Sequence, residues 1–145
     1  MQILKSCALV LAVSLLPYGV CAEFSSPQEE TSRHQWREID MQELETLLNS
    51  NTSFSLVDAR SDKYFDGTLI RGAKRLPAES DQVTIESSLP NKNELIVVYC
   101  AGGKCPASKN LAKRLVGLGY TNVADYHGGM QDWIGNGKPT QNTKN

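Results

Sequence analysis

The sequence predicts an α/β domain, a parallel sheet covered by helices on both faces. Two observations carry this. Leu95-Ile96-Val97-Val98-Tyr99 is an unbroken apolar run, the pattern of a strand buried on both faces rather than one. Short apolar runs also alternate along the chain with segments of helical periodicity, the order expected when crossover helices connect parallel strands.

The chain has 145 residues. Residues 1–22 have the form of a cleavable export signal. Lys5 gives the positive start, residues 8–16 the apolar stretch, Pro17 a break and Val20-Cys21-Ala22 small residues for a peptidase. The apolar stretch is too short to act as a stable membrane anchor. A lipoprotein acylated on Cys21 would want a small or aliphatic residue where Tyr18 stands. Export implies a periplasmic protein, with secretion as the alternative. Residues 23–35 are polar and aperiodic, a flexible leader, and residues 136–145 read as a disordered tail.

Between them, residues 36–135 form one domain. Asp40 with Glu43 three residues on has the form of a capping box, and Met41, Leu44, Leu47 and Leu48 then share one helical face. Residues 54–57 form a short strand that delivers Asp58, Ala59 and Arg60 at its end. A second short strand spans 73–76, stopped by Pro77, and residues 79–89 hold a helical turn or two. After the apolar run, Pro106 opens a helix whose stripe is Ala107, Leu111, Leu115 and Leu118. Lys113 and Arg114 suit its C-terminal end, and Gly119 its C′ position. Residues 122–125 make a last strand, and Gly128-Gly129 turns into a short helix carrying Trp133 and Ile134. Trp36 and Trp133 are read as packing residues.

Removing residues 1–22 takes away one base, Lys5, leaving fourteen basic against sixteen acidic side chains. With no basic patch and no aromatic–arginine interleaving, nucleic acid is not an expected partner. Cys7 and Cys21 leave with the signal, so the mature chain keeps Cys100 and Cys105. In an oxidising compartment two cysteines are commonly a structural disulfide. A bridge closing so small a loop stabilises little, and a redox or catalytic role accounts better for its place.

That place is informative. Cys100 ends the buried strand, where open α/β sheets put their binding sites, and Ala101, Gly102, Gly103 and Lys104 lead into Cys105 and a helix N-terminus. The glycines let backbone N–H groups curl inward around one sulfur, which favours a thiolate with a lowered pKa. Zinc or copper(I) on Cys100, Cys105 and His127 lacks a fourth ligand and has wide cysteine spacing, so no metal is expected.

Four segments resemble a single rhodanese domain: Leu56-Val57-Asp58-Ala59-Arg60 with Tyr64-Phe65; Ile70-Arg71-Gly72-Ala73 with Leu76-Pro77; Val97-Val98-Tyr99-Cys100 with its loop; and Gly117-Leu118-Gly119-Tyr120 through Gly128-Gly129 to Trp133. The resemblance implies a sheet of about five strands and a sulfurtransferase with no organic cofactor. Cys100 would be the catalytic nucleophile, taking sulfane sulfur from a small donor (thiosulfate or a polysulfide) as a persulfide and passing it to a thiol acceptor, a redox protein among the candidates. Residues 101–104 would bind the transferred group.

Many active rhodaneses carry arginine where this chain has Cys105. Related phosphatases carry one where it has Pro106, so phosphatase chemistry lacks its anion clamp. Lys104 offers a point charge or is a solvated loop lysine. Cys105 is a resolving thiol or a small buried filler. Asp58 and Arg60 match the family's Asp-x-Arg element and read as a charge pair bracing the loops. His127 is a proton carrier near neutral pH or a surface histidine. Two further functions stay open: a thiol–disulfide oxidoreductase using Cys100 and Cys105, and a non-catalytic binding module.

Overall fold

The computed structural model describes residues 36–143, so the expected export signal and leader lie outside the described residues. In chain order the elements are β1 (Arg37–Ile39), α1 (Met41–Asn49), β2 (Phe54–Asp58), β3 (Thr68–Ile70), β4 (Lys74–Arg75), α2 (Gln82–Ser88), β5 (Leu95–Tyr99), α3 (Ala107–Gly117), β6 (Val123–Tyr126), α4 (Gly129–Gly135) and β7 (Thr140–Asn142), with one 3₁₀ turn at Asp62–Tyr64. Among the described residues no helix is long and apolar enough to cross a membrane.

The main sheet has five strands in the order β1-β6-β5-β2-β4, and every pairing in it is parallel. β5 lies at its centre, and all five of its residues are buried. Strand alternation divides them between two cores. Leu95, Val97 and Tyr99 pack with Leu44 of α1 and with Met130 and Trp133 of α4. Ile96 and Val98 pack with Ile85 of α2 and with Leu111, Ala112 and Leu115 of α3. The expected helices on both faces are therefore present, and the apolar run is apolar throughout because each face has its own helices to meet.

Local signals place the helix ends. Asp40 caps α1 by accepting from the Glu43 N–H at 2.8 Å, while the Glu43 side chain pairs with Arg37, so only half of the capping box forms. α3 ends in a Schellman motif. The Gly119 N–H donates to Val116 O and the Tyr120 N–H to Leu115 O, with Gly119 at φ +87°.

The C-terminal stretch differs from the disordered tail expected over 136–145. β7 pairs antiparallel with β3. Trp133 Nε1 donates to Pro139 O at 2.9 Å, Gln141 bonds Gly72 N and Ala73 O, and Lys138 pairs with Glu45 at 2.6 Å. Backbone pairing and polar side chains hold this segment, so it carries no hydrophobic pattern to announce it.

From β2 the chain moves outward to β4, and from β5 it moves the other way to β6. The carboxyl ends of β2 and β5 therefore flank a topological switch point, where open α/β sheets have a crevice. Asp58-Ala59-Arg60 follows one of these strands and Cys100 the other.

Candidate active site

A cavity of about 600 Å³ opens at this switch point. Ala101, Gly102, Lys104 and Cys105 form one wall, Arg60 and Tyr64 another, and Asn110 and Gln131 contribute from α3 and from α4. Lys104 is exposed at this mouth. Cys105, half-buried, faces the cavity, whereas Cys100 is only 1% exposed.

Main-chain contacts hold the loop. The Met130 N–H donates to Cys100 O at 2.9 Å and the Gln131 N–H to Ala101 O at 2.8 Å, so the first turn of α4 grips it directly. This approach needs Gly129, which sits at φ +61° where a Cβ would lie 2.4 Å from Cys100 O. The Cys105 N–H closes a turn onto Gly102 O at 2.8 Å.

The loop's N–H groups are divided between two sulfurs instead of converging on one. Those of Gly102 and Ser108 serve Cys100, and those of Ala101 and Ala107 serve Cys105. Gly103 contributes its lack of a side chain, since a Cβ there would come 3.3 Å from His127 Nε2. The Cys100 sulfur also faces two acceptors, Cys105 O at 3.2 Å and Gly102 O at 3.7 Å.

These surroundings correct the expectation of a low Cys100 pKa. Burial pushes the Cys100 thiol up despite hydrogen bonds from Ser108 and Gly102. Burial also opposes ionisation of Cys105, yet the Cys100 thiol and the Ala107 and Ala101 N–H groups together hold it below the ordinary thiol value. The two thiols thus act on each other in opposite senses, Cys105 raising Cys100 and Cys100 lowering Cys105.

Asp58 and Arg60 are both buried. The Arg60 guanidinium forks onto Asp58, Nε donating at 3.0 and 3.1 Å and Nη2 at 2.7 Å, and Nη2 also reaches Thr68 O. It lies over the Phe65 ring at 5.2 Å. Burial works against its charge, but Asp58, helped by Asp66 and Tyr99, offsets this and the Arg60 pKa is raised. The pair ties the loop after β2 to β3, and Arg60 contributes one side of the cavity wall.

His127 packs against the loop with Nδ1 3.9 Å from Asp125 Oδ2. Among the described residues no three metal-ligating side chains gather into a cluster. Two polar residues that the sequence reading passed over stand behind Cys100. Ser108 Oγ donates to Cys100 Sγ at 3.5 Å, and Asp125 is fully buried on β6. Each breaks an apolar pattern: Ser108 lies three residues before Leu111 on the buried stripe of α3, and Asp125 occupies a strand position where Val123 is core.

The rhodanese-like domain model matches residues 40–136. Over 77 residues the chain is 29% identical to the thiosulfate sulfurtransferase PspE of Escherichia coli, covering 52% of this chain and 70% of that protein. Over 101 residues it is 29% identical to the adenylyltransferase and sulfurtransferase UBA4 of Candida albicans. That match covers 66% of this chain but 23% of the other, so the chain spans under a quarter of that relative's length. The Alr3790 protein from Anabaena superposes with a TM-score of 0.61 at 28% identity, over 72% of this chain and 80% of that one. The BH2092 protein from Bacillus halodurans shares the fold with a TM-score of 0.66 at 22% identity, over 74% and 77%. From the Asp40 cap to the end of α4, then, the family match coincides with the sheet, its helices and the cysteine loop, and this chain belongs to the rhodanese-like domain family.

Proposed function

We propose that the protein is a sulfurtransferase that carries sulfane sulfur as a persulfide on Cys100, with Cys105 as its second thiol. The observation that carries this is a loop at the switch-point cavity that holds two cysteines, Cys105 facing the cavity and Cys100 buried behind it, each sulfur met by main-chain N–H groups. The sulfurtransferase names of two relatives support it.

In the proposed cycle the Cys100 thiolate attacks the sulfane sulfur of thiosulfate or a polysulfide. A Cys100–sulfur bond forms, the donor's S–S bond breaks, and sulfite or the shortened polysulfide leaves with the electron pair. An acceptor thiolate then takes the outer sulfur and releases the Cys100 thiolate. Lys104 supplies a mobile cation to the anionic donor, since Arg60 is committed to Asp58.

The mutual effect of the two free thiols on each other's ionisation favours a second outcome. Cys105 thiolate attacks the inner sulfur of the Cys100 persulfide, forming a Cys100–Cys105 disulfide and expelling hydrosulfide. A thiol partner must then reduce the bridge.

Intact mass of the reduced protein before and after thiosulfate or polysulfide tests the reading. The wild type is expected to gain one sulfur atom, Cys100→Ser to gain none, and Cys105→Ser to hold its sulfur longer than the wild type. Loss of two hydrogens without retained sulfur identifies the resolving or oxidoreductase route. No mass change with either donor overturns sulfur transfer and leaves a binding module. We further propose export to the periplasm, for which the mature N-terminus from a periplasmic fraction is expected at Glu23. A retained Met1 overturns it.

A further inference from the structure

The switch-point cavity holds two opposite charges that do not pair. Glu79 and Lys104 both line it, and neither makes a hydrogen bond or an ion pair with any described residue. The neighbouring charges are already engaged: Arg60 with Asp58, Arg75 with Asp62, and Lys63 with the Tyr64 ring, 5.2 Å from its centroid. Glu79 and Lys104 are therefore the charges left to meet a ligand.

They come from different parts of the fold. Lys104 belongs to the cysteine loop after β5, whereas Glu79 sits in the turn that follows β4. That turn is pinned to the β2 side. The Ala78 N–H donates to Ala59 O at 3.1 Å, the Ser80 N–H to Pro77 O at 2.9 Å, and Arg114 of α3 donates to Ala78 O. Two amide side chains line the same cavity, Asn110 and Gln131, and neither has a side-chain partner among the described residues. Gln131 stands against the cysteine loop, its Oε1 3.0 Å from where a Gly102 Cβ would lie. Such amides both donate and accept, as a peptide group requires. A cavity of about 600 Å³ has room for an organic ligand. Thiosulfate, a compact dianion, would be drawn to Lys104 but repelled by Glu79.

We propose that this cavity selects a zwitterionic thiol of short-peptide type, with its ammonium group at Glu79, its carboxylate at Lys104 and its thiol towards the cysteine loop. Glu79 and Lys104 are its specificity residues, and Asn110 and Gln131 serve the peptide group between the charged ends. The inference rests on the sulfur-transfer reading and names the class of its acceptor. Both charged side chains are exposed, so water screens each contact and its contribution is modest, about threefold in affinity.

The test is protection of Cys105 from iodoacetamide, a neutral reagent, by S-methylcysteinylglycine, which carries both charges and no free thiol. The full chain bears Cys100→Ser, and alkylation at Cys105 is read by peptide mass. The dipeptide is expected to protect. Its N-acetyl form, without the ammonium, and its C-terminal amide, without the carboxylate, should each need about threefold more for equal protection. Glu79→Gln should weaken the dipeptide about threefold and leave the N-acetyl form unchanged, and Lys104→Gln should weaken the dipeptide and leave the amide unchanged. No protection, equal protection by all three compounds, or variants that weaken all three alike overturns the inference. Because protection is read without sulfur transfer, a protein protected in this pattern that never loads sulfur refutes the sulfurtransferase reading alone. One that loads sulfur but is not protected refutes the zwitterionic acceptor alone.

Discussion

Replacing Arg60 by alanine is expected to cost about 3–5 kcal/mol of folding stability, because it leaves the Asp58 carboxylate buried without its cation. Asp58 is 0% exposed and Arg60 4%, so solvent cannot take over for the missing partner. The loss extends to Thr68 O and to the face of Phe65, which also supports Arg75 at 4.0 Å. For a single domain of this size that is a large share of the whole, about 5–15 kcal/mol. Urea unfolding followed by fluorescence measures it. The control is the combined Asp58→Asn, Arg60→Met variant, in which no lone charge stays buried. It should be less destabilised than Arg60→Ala. An Arg60→Ala protein that unfolds within about 1 kcal/mol of the wild type shows that the pair is not a brace.

Gly129→Ala is expected to reduce sulfur loading of Cys100 at least about tenfold, since reactive groups tolerate little displacement. Two effects combine. A φ of +61° disfavours alanine, and its Cβ would lie 2.4 Å from Cys100 O, 2.8 Å from Gly102 N and 3.0 Å from Ala101 C. All three are main-chain atoms of the loop, so relief requires the loop to move. Gly137→Ala separates the two effects, because Gly137 has φ +67° but a Cβ there would meet nothing within 4 Å. Gly137→Ala should lower the melting temperature slightly and leave loading intact. Equal loading by Gly129→Ala and the wild type, read by intact mass, would contradict the role given to this contact.

The elements easiest to read from sequence are those that bury a periodic apolar face. β5 meets helices on both sides, and the stripe of α3 ends in a glycine that its Schellman motif requires. β1, β3 and β7 were not readable in this way. β1 is a sheet edge with two of its three residues exposed, and β3 with β7 is a small backbone pairing of largely polar residues. At the site, the order Cys100, two glycines, Cys105 located the loop, but the direction of its carbonyls depends on the turn from Gly102 to Cys105. That turn places acceptors beside the Cys100 sulfur, which spacing cannot reveal. Ser108 and Asp125 did leave a signal, as polar residues at positions where the helix stripe and the strand pattern call for apolar ones.

The grip of α4 on the cysteine loop has a consequence for how such a site can diversify. Its hold on Cys100 and Ala101 runs between peptide groups and depends on the glycine at 129, with no demand on the side chains of Ala101 or Lys104. Both of those residues are exposed and line the cavity. Shape and selectivity are thereby inherited separately. Under the proposed chemistry, drift at 101 and 104 retunes which donor or acceptor is welcomed while the Cys100 sulfur stays where it is, so new partners can be explored without first rebuilding the proposed nucleophile.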